Sequence, residues 1–454
     1  MKTNTAIVLL SLSVAFALTA QPPALQSSTP PSPAPSGLGQ ALESPAAQID
    51  KVLPSWLIFG GDYRSRFEGY SGGSFKHNTT DDYLLSRLKL RLTIAPTSWM
   101  KFFIEGMDAR ALEKTPAVPT YQNTWDIRQA YAEIGDFEKG IFGLRAGRQE
   151  FTYGDERLIG PSAWTNTEHS FDAIRGTARY KGYRLDLFAS SIVNPVTGTW
   201  DHHLQGNNLH GAYGGIDKLG PRLVIEPYVL WRLEHGLKNE ENVVSKLNEK
   251  IGGLRIVGKQ LPGGLDYGME VVREFGSLGS DKIQSWAGHW VAGRTTNIRF
   301  TPRVYAEYNY AGGDQKPTDG IRGTFDQLYP SGHDKMGFDD QVGWRNIKDL
   351  RAGLGTKPRR NATAVFEYNN WYLASATDAL YNAAGTAVFR STAGSAGTAG
   401  THVGQEFDVT GTWTFAKAFT AGAGVGHILP GQFLKTVTPG NPYTYPYMMI
   451  AYKF

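Results

Sequence analysis

In residues 84–94, LLSRLKLRLTI, the leucines at 84, 88, 90 and 92 alternate with Arg87, Lys89 and Arg91. A side-chain period of two places every cation on one face of an extended strand and these leucines on the other, whereas a helix would scatter both sets. The same split recurs along the chain. Asp62, Arg64, Arg66 and Glu68 oppose Phe59, Tyr63 and Phe67; Arg175, Thr177 and Arg179 oppose Ile174, Ala178 and Tyr180; Arg184 and Asp186 oppose Tyr183, Leu185 and Leu187. Near the C-terminus, Glu406, Asp408, Thr410, Thr412 and Thr414 oppose Phe407, Val409, Trp413 and Phe415. One such segment fits a half-buried strand of any sheet. Many of them, each with a charged face and an apolar face, fit the wall of a water-filled barrel.

The N-terminus points to the same compartment. Lys2 precedes an apolar run over residues 6–18 that closes on Thr19 and Ala20, the pattern of a secretory signal peptide cut after Ala20. The run is too short to cross a bilayer, and no later stretch approaches the roughly 20 apolar residues of a membrane helix. Residues 21–54, with PPSPAPSG among them, read as a flexible Pro-rich periplasmic leader that cannot offset its ordering entropy. The remainder, 55–454, carries no second linker and reads as one domain.

Connection lengths give a separate test. Short links near 95–98, 136–140, 181–182, 217–220, 261–264, 296–301, 356–361 and 417 alternate with longer ones near 69–82, 111–126, 152–170, 195–207, 236–249, 276–281, 313–347, 376–402 and 430–442. Short turns on one rim and longer loops on the other are the habit of outer-membrane barrels. The expected fold is therefore all-β, a transmembrane antiparallel β-barrel of about 18 strands, with 16 as the alternative count. The last residues, YPYMMIAYKF, put Met448, Ile450, Tyr452 and Phe454 on one face and end on an aromatic, which resembles the C-terminal signal read by the bacterial barrel-assembly machinery.

Composition agrees where it bears on the question. Fifty-three glycines, 12% aromatics and no cysteine suit one large barrel in contact with outer-membrane lipid, and exclude disulfide frameworks and thiolate metal sites. A net charge of +4 gives no nucleic-acid signature. Parity breaks at Asp108 and Arg110 against Lys101 and Glu105, and again at Arg145 against Arg148, which predicts bulges or strand ends there.

Function is expected in the lumen. Arg64, Arg66, Arg87, Lys89, Arg91, Arg175, Arg179 and Arg184 fall on the polar faces, beside the acids Asp62, Glu68, Asp186, Glu226, Glu270 and Glu307. Guanidinium groups bind carboxylates bidentately, so such a wall suits an anionic solute, unless the wall acids neutralise it. His202, His203, His210 and His289 show no spacing that converges on a metal, and Ser190 and Ser191 lack a nucleophile-elbow context. No catalytic residue, metal or cofactor is implied; a surface hydrolase built on a barrel is the reading from another class.

Two loop segments carry the most specific pattern: GRQE…YGDERLIG…W…FD within 147–175, and YPSGHDK…GWRNI within 325–354. Both resemble the bacterial alginate export family of outer-membrane barrels, over about 56–454. The resemblance implies a pore lined by arginines and partly plugged by loops, exporting a polyuronate. By position it adds Arg148, Arg157, Arg345 and Arg351 to the substrate path. A general porin for smaller solutes remains the rival within transport.

Overall fold

The computed structural model describes residues 45–220, 222–392, 398–416 and 418–454; the signal peptide and the leader up to residue 44 lie outside them. Eighteen strands close into an antiparallel barrel. They are β1 Leu57–Ser71, β2 Thr80–Thr97, β3 Met100–Leu112, β4 Asn123–Gly135, β5 Phe142–Gln149, β6 Phe171–Tyr180, β7 Tyr183–Asn194, β8 His202–Ile216 and β9 Leu223–Lys238. They continue as β10 Val244–Leu261, β11 Leu265–Leu278, β12 Asp281–Thr295, β13 Arg303–Ala311, β14 Ile347–Arg359, β15 Ala362–Leu373, β16 His402–Phe415, β17 Phe419–Pro430 and β18 Tyr443–Lys453. Each strand pairs with its successor, and β18 returns to β1 through pairs such as Tyr63 with Tyr452 and Arg66 with Met449. Phe454 finishes the seam: its amide donates to Gly61 O at 3.0 Å, and the Gly61 amide donates back at 2.9 Å. A side chain at 61 would collide with the Phe454 ring and with Lys89 O, so only glycine fits under that ring.

Inside and outside follow the predicted parity. Arg64, Arg66, Glu68, Arg87 and Lys89 are all at least nine-tenths buried, while Ile174, Leu187, Val229, Val304 and Met448 on the outer face are more than half exposed. So many apolar side chains facing outward around the wall is a surface for lipid rather than water. At the short-turn rim the outward rings run from strand to strand: Trp413 to Phe415, Phe415 to Phe419, Phe419 to Tyr452 and Tyr452 to Phe454, with centroids 4.5–5.6 Å apart. This is the aromatic girdle that an interface between lipid and water favours.

The parity breaks have local causes. Register shifts between β3 and β4 fall at Glu105/Gly106 and Met107/Ala109, and beyond them Asp108 and Arg110 pair with each other at 2.8 Å at the strand's outer end. The turn between β6 and β7 is Lys181-Gly182, both with positive φ, which matches the tight hairpin geometry that follows strand twist.

Two expectations differ from what is observed. The longer link expected near 276–281 is a two-residue turn, Gly279-Ser280. Leu237, Leu247, Leu278 and Ile283 pack together at that end and hold β9 to β12 paired to their tips. At the other terminus, the last part of the segment expected to be flexible forms helix α1, Pro45–Val52. Asp50 of this helix accepts the Phe59 amide at 2.8 Å, tying the helix to β1.

Candidate functional site

Three long loops, 150–170, 312–346 and the described part of the third, 374–392 and 398–401, turn into the barrel rather than away from it. They do so because their own apolar residues need cover. Phe151, Tyr153, Leu158 and Ile159 of the first loop are buried among the inward rings Phe171, Phe188 and Tyr213. Phe325, Met336, Phe338 and Trp344 of the second join the same cluster. The first two loops also bond to each other: Ile159 bridges Tyr329, and Trp164 stacks on His333 with ring centroids 3.9 Å apart and planes 3° apart.

The basic face of β1 and β2 holds the first of these loops. Arg64 stands directly opposite Arg87 in the sheet, so the wall presents like charges side by side. The loop answers with oxygen. Arg64 donates to Ala163 O, Trp164 O and Thr165 O at 2.9–3.1 Å, Arg87 to Ala163 O and Thr165 O at 3.1 and 3.0 Å, and Arg66 to Trp164 O at 2.6 Å. Arg66 also lies over the Trp164 ring, 3.9 Å from its centroid. Glu168 supplies the formal charge. Its carboxylate pairs with Arg87 at 2.6 Å, Lys89 at 2.7 Å and Arg128 at 2.7 Å. Burial alone would raise the Glu168 pKa, but these three cations outweigh it and hold the group well below its usual range.

The wall acids take part as well. Arg91 pairs with Asp62 and, at 2.6 Å, with Glu105; Arg66 pairs with Glu68. Arg91 remains about a quarter exposed, so it is the member of the ladder still open to the aqueous lumen.

The other predicted residues lie as follows. Arg175 pairs with Asp186 at 2.8 Å, and Arg179 donates to Phe137 O at 2.7 Å beside the β4–β5 turn. Arg157, on the first loop, crosses the lumen to Glu307 of β13 at 2.8 Å. Arg351, inward on β14, pairs with Glu367 at 2.5 Å and donates to Asp334 O at 2.8 Å, which ties the second loop to the wall. Arg345 sits 3.9 Å from Asp326 and lies over the Tyr381 ring. Asp326 is also held by Arg232.

Arg148 departs from the expectation that it lines the substrate path. It alternates with the inward Arg145 and Gln149 and stands opposite Asp172, on the face of the exposed Ile174. There, at the loop end, it pairs with Asp172 at 2.8 Å and donates to Asp201 O at 3.1 Å. The odd spacing of three from Arg145 decides this, because parity in a strand assigns the side.

Sequence reasoning missed Arg128 and Glu168. Arg128 falls on the bulge between the pairs Glu105–Gln129 and Gly106–Ile127, so it points inward out of step with Gln129 and Glu133. The parity change between WDIRQ and AYAEI was its only signal. The histidines do not converge: His203 meets Asp172, His289 meets Asn309, and His210 meets the Trp231 ring. Ser190 and Ser191 donate to Leu209 O and Asn208.

Comparison with known proteins agrees with this architecture. Among solved structures, the Pseudomonas aeruginosa outer-membrane protein OpdK is similar with a TM-score of 0.61 at 10% identity, over 88% of this chain and 98% of that one. Pseudomonas aeruginosa OccK8 (OprE) gives 0.58 at 11% identity over 88% and 98%, and OccK11 (OpdR) gives 0.57 at 8% over 88% and 96%. At such identities the likeness is one of fold. No individually curated protein matches the sequence. A family model does: that for alginate export covers residues 55–443. The barrel, its lipid-facing exterior and this match make the protein a channel of the bacterial outer membrane. The chain belongs to the alginate export family.

Proposed function

We propose that the protein exports an anionic polysaccharide of the polyuronate type, by diffusion along the lumen cations once the 150–170 loop yields its place on them. The observation that carries this reading is the convergence of Arg87, Lys89 and Arg128 on the single carboxylate of Glu168. A guanidinium and ammonium set that accepts one carboxylate from within the chain has the geometry to accept another from a uronate unit. The loop is then an internal surrogate for substrate, and transport consists of exchanging one carboxylate for the next. Arg91, together with the half-buried Lys101, Arg184 and Arg303 nearer the short-turn rim, offers the next charges along the way. Exchange between neighbouring sites of similar strength is what lets a bound ion leave as well as enter. No catalytic step is part of this reading, and the terminal strand ending in Phe454 is the segment that the barrel-assembly machinery would engage.

The test is a planar-bilayer recording with the full chain. Oligouronate added on the short-turn side is expected to reduce chloride current in steps, and a neutral oligosaccharide of equal length to leave it unchanged. Equal effects of the charged and neutral chains, or cation selectivity without oligouronate, would leave a general porin instead.

A further inference from the structure

Many lumen acids have cations or hydrogen-bond donors beside them; a cluster of three largely lacks both. Asp339 on the 312–346 loop meets Glu406 and Asp408 of β16, and one carboxylate oxygen from each lies within 4.8 Å of the others. All three residues are at least 97% buried. Glu406 is oriented through one oxygen, which accepts the amides of Phe338 and Asp339 at 2.5 and 2.9 Å, and Asp408 accepts from Asn369 at 3.3 Å. The oxygens left over are the telling ones. Both oxygens of Asp339 are unpartnered, no amide, hydroxyl or cation reaches Oε2 of Glu406 or Oδ1 of Asp408, whose carboxyls lie within hydrogen-bond range of each other, and none of the three residues is in an ion pair among the described residues.

The surroundings keep room for them. Across the sheet from Asp408 stands Gly426 of β17, where a Cβ would come within 1.8 Å of Asp339 Oδ1 and 2.9 Å of Asp408 Oδ1. At Gly337 a Cβ would come within 2.4 Å of Glu406 Oε2. Two glycines thus spare the space around carboxylate oxygens that face no donor. Shared protons are the other way to relieve such a cluster, and one could sit between Glu406 and Asp408, but a protonated carboxyl at Asp339 would hydrogen-bond a neighbouring oxygen, and Asp339 makes no such bond.

We propose that Asp339, Glu406 and Asp408 form a calcium site that fastens the 312–346 loop to the barrel wall. An all-oxygen, multiply anionic donor set is that of a hard divalent cation. A buried cage of protein oxygens favours calcium, which takes about six to eight oxygens in flexible geometry, over magnesium, which keeps several waters in a near-ideal octahedron. The unpartnered Oδ1 of Asn369, whose residue pairs with Glu406 in the sheet, is a neutral oxygen beside the same group. The ion would join loop to wall at β16, four strands round the barrel from the Arg87 and Lys89 of β2 that hold Glu168, so the plug would have two separate fastenings.

Terbium, which replaces calcium and is sensitised by nearby indole, provides the readout, since Trp371 reaches the same space beside Gly337 as Glu406 does. With the full chain refolded in detergent free of lipopolysaccharide, tryptophan excitation is expected to give saturable terbium emission, displaced by calcium at lower concentration than by magnesium. D408N and E406Q should lose that emission, with calcium affinity weakened on the order of tenfold or more, while E249Q, a buried acid elsewhere in the lumen, keeps it. A chelator should lower the unfolding temperature of the unmodified protein and leave that of D408N unchanged. Emission that survives in a folded D408N barrel, or none in the unmodified protein, would overturn the proposal. So would a D408N barrel more stable than the unmodified one whether calcium is present or not, which is the mark of a proton-held cluster.

Discussion

Lys89 donates to both carboxylate oxygens of Glu168, each at 2.7 Å, and so joins a strand of the barrel wall to a loop 79 residues further along the chain. Arg87 and Arg128 complete the enclosure of that carboxylate. Removing one partner of a buried pair costs about 3–5 kcal/mol, because the other charge is left uncompensated. Glu168→Gln is therefore expected to release the 150–170 loop while the barrel stays closed through its backbone pairing. Single-channel conductance should rise, with heat-modifiable migration on gels retained. Conductance equal to that of the unmodified protein would show that the arginine bonds to the Ala163, Trp164 and Thr165 carbonyls and the apolar contacts of Phe151 and Leu158 hold the loop without it.

The pH dependence follows from the same group. Its pKa in the folded protein lies below the ordinary value of about 4.5. A depressed carboxyl contributes its full stability above the unfolded value and loses it only as pH falls through the folded one. Conductance should thus stay low from pH 7 down to about pH 4.5, and rise only in stronger acid. Opening between pH 6 and pH 5 would point to a different group.

Trp164 is the joint between the two inner loops. It stacks on His333, meets Phe338 and Tyr447 edge-on at 5.7 and 5.0 Å, and lies under Arg66. Trp164→Ala should speed hydrogen exchange in residues 325–346 while leaving strand amides protected. Uniform loss of protection would make Trp164 part of the barrel's own stability.

The wall makes its own prediction. Leu187 is 54% exposed at the middle of β7, whereas Thr412 faces inward on β16. Leu187→Arg places a charge in lipid, costs about 2–4 kcal/mol near mid-depth, and should impair assembly. Thr412→Arg should assemble normally. Equal yields of folded barrel from both would reverse the assignment of faces.

The strands were legible because charged or polar and apolar residues alternate through most of segments such as 86–94 and 405–415. Legibility failed where a single residue changes the count. The bulge at Arg128 hid an inward cation, and Arg148, three positions from Arg145, fell on the opposite face. The 279–280 turn was masked because Gly276 and Gly279 read as loop residues, although Gly276 stays within the strand at a φ of 141°. The inner loops were the least legible part. Glu168 with Lys89 and Arg157 with Glu307 are separated by 79 and 150 residues, and no local pattern encodes a partner at that distance.

Charge selectivity separates wall from loop. Replacing Arg87, Lys89 and Arg91 together by alanine removes the loop's anchor and three lumen cations at once. Glu168→Gln removes the anchor while freeing the cations. Both variants should conduct more than the unmodified protein, because both release the same loop. Their selectivities should move in opposite directions: toward anions for Glu168→Gln, whose exposed cations raise the local anion concentration, and away from anions for the triple variant. The difference should be largest at 0.1 M salt, where the screening length is about 10 Å, and should shrink at 1 M, where it is about 3 Å. Reversal potentials under a salt gradient measure this directly. If both variants shift the same way, the ladder cations do not face the conducting path, and the charges that set selectivity lie nearer the short-turn rim, at Lys101, Arg184 and Arg303.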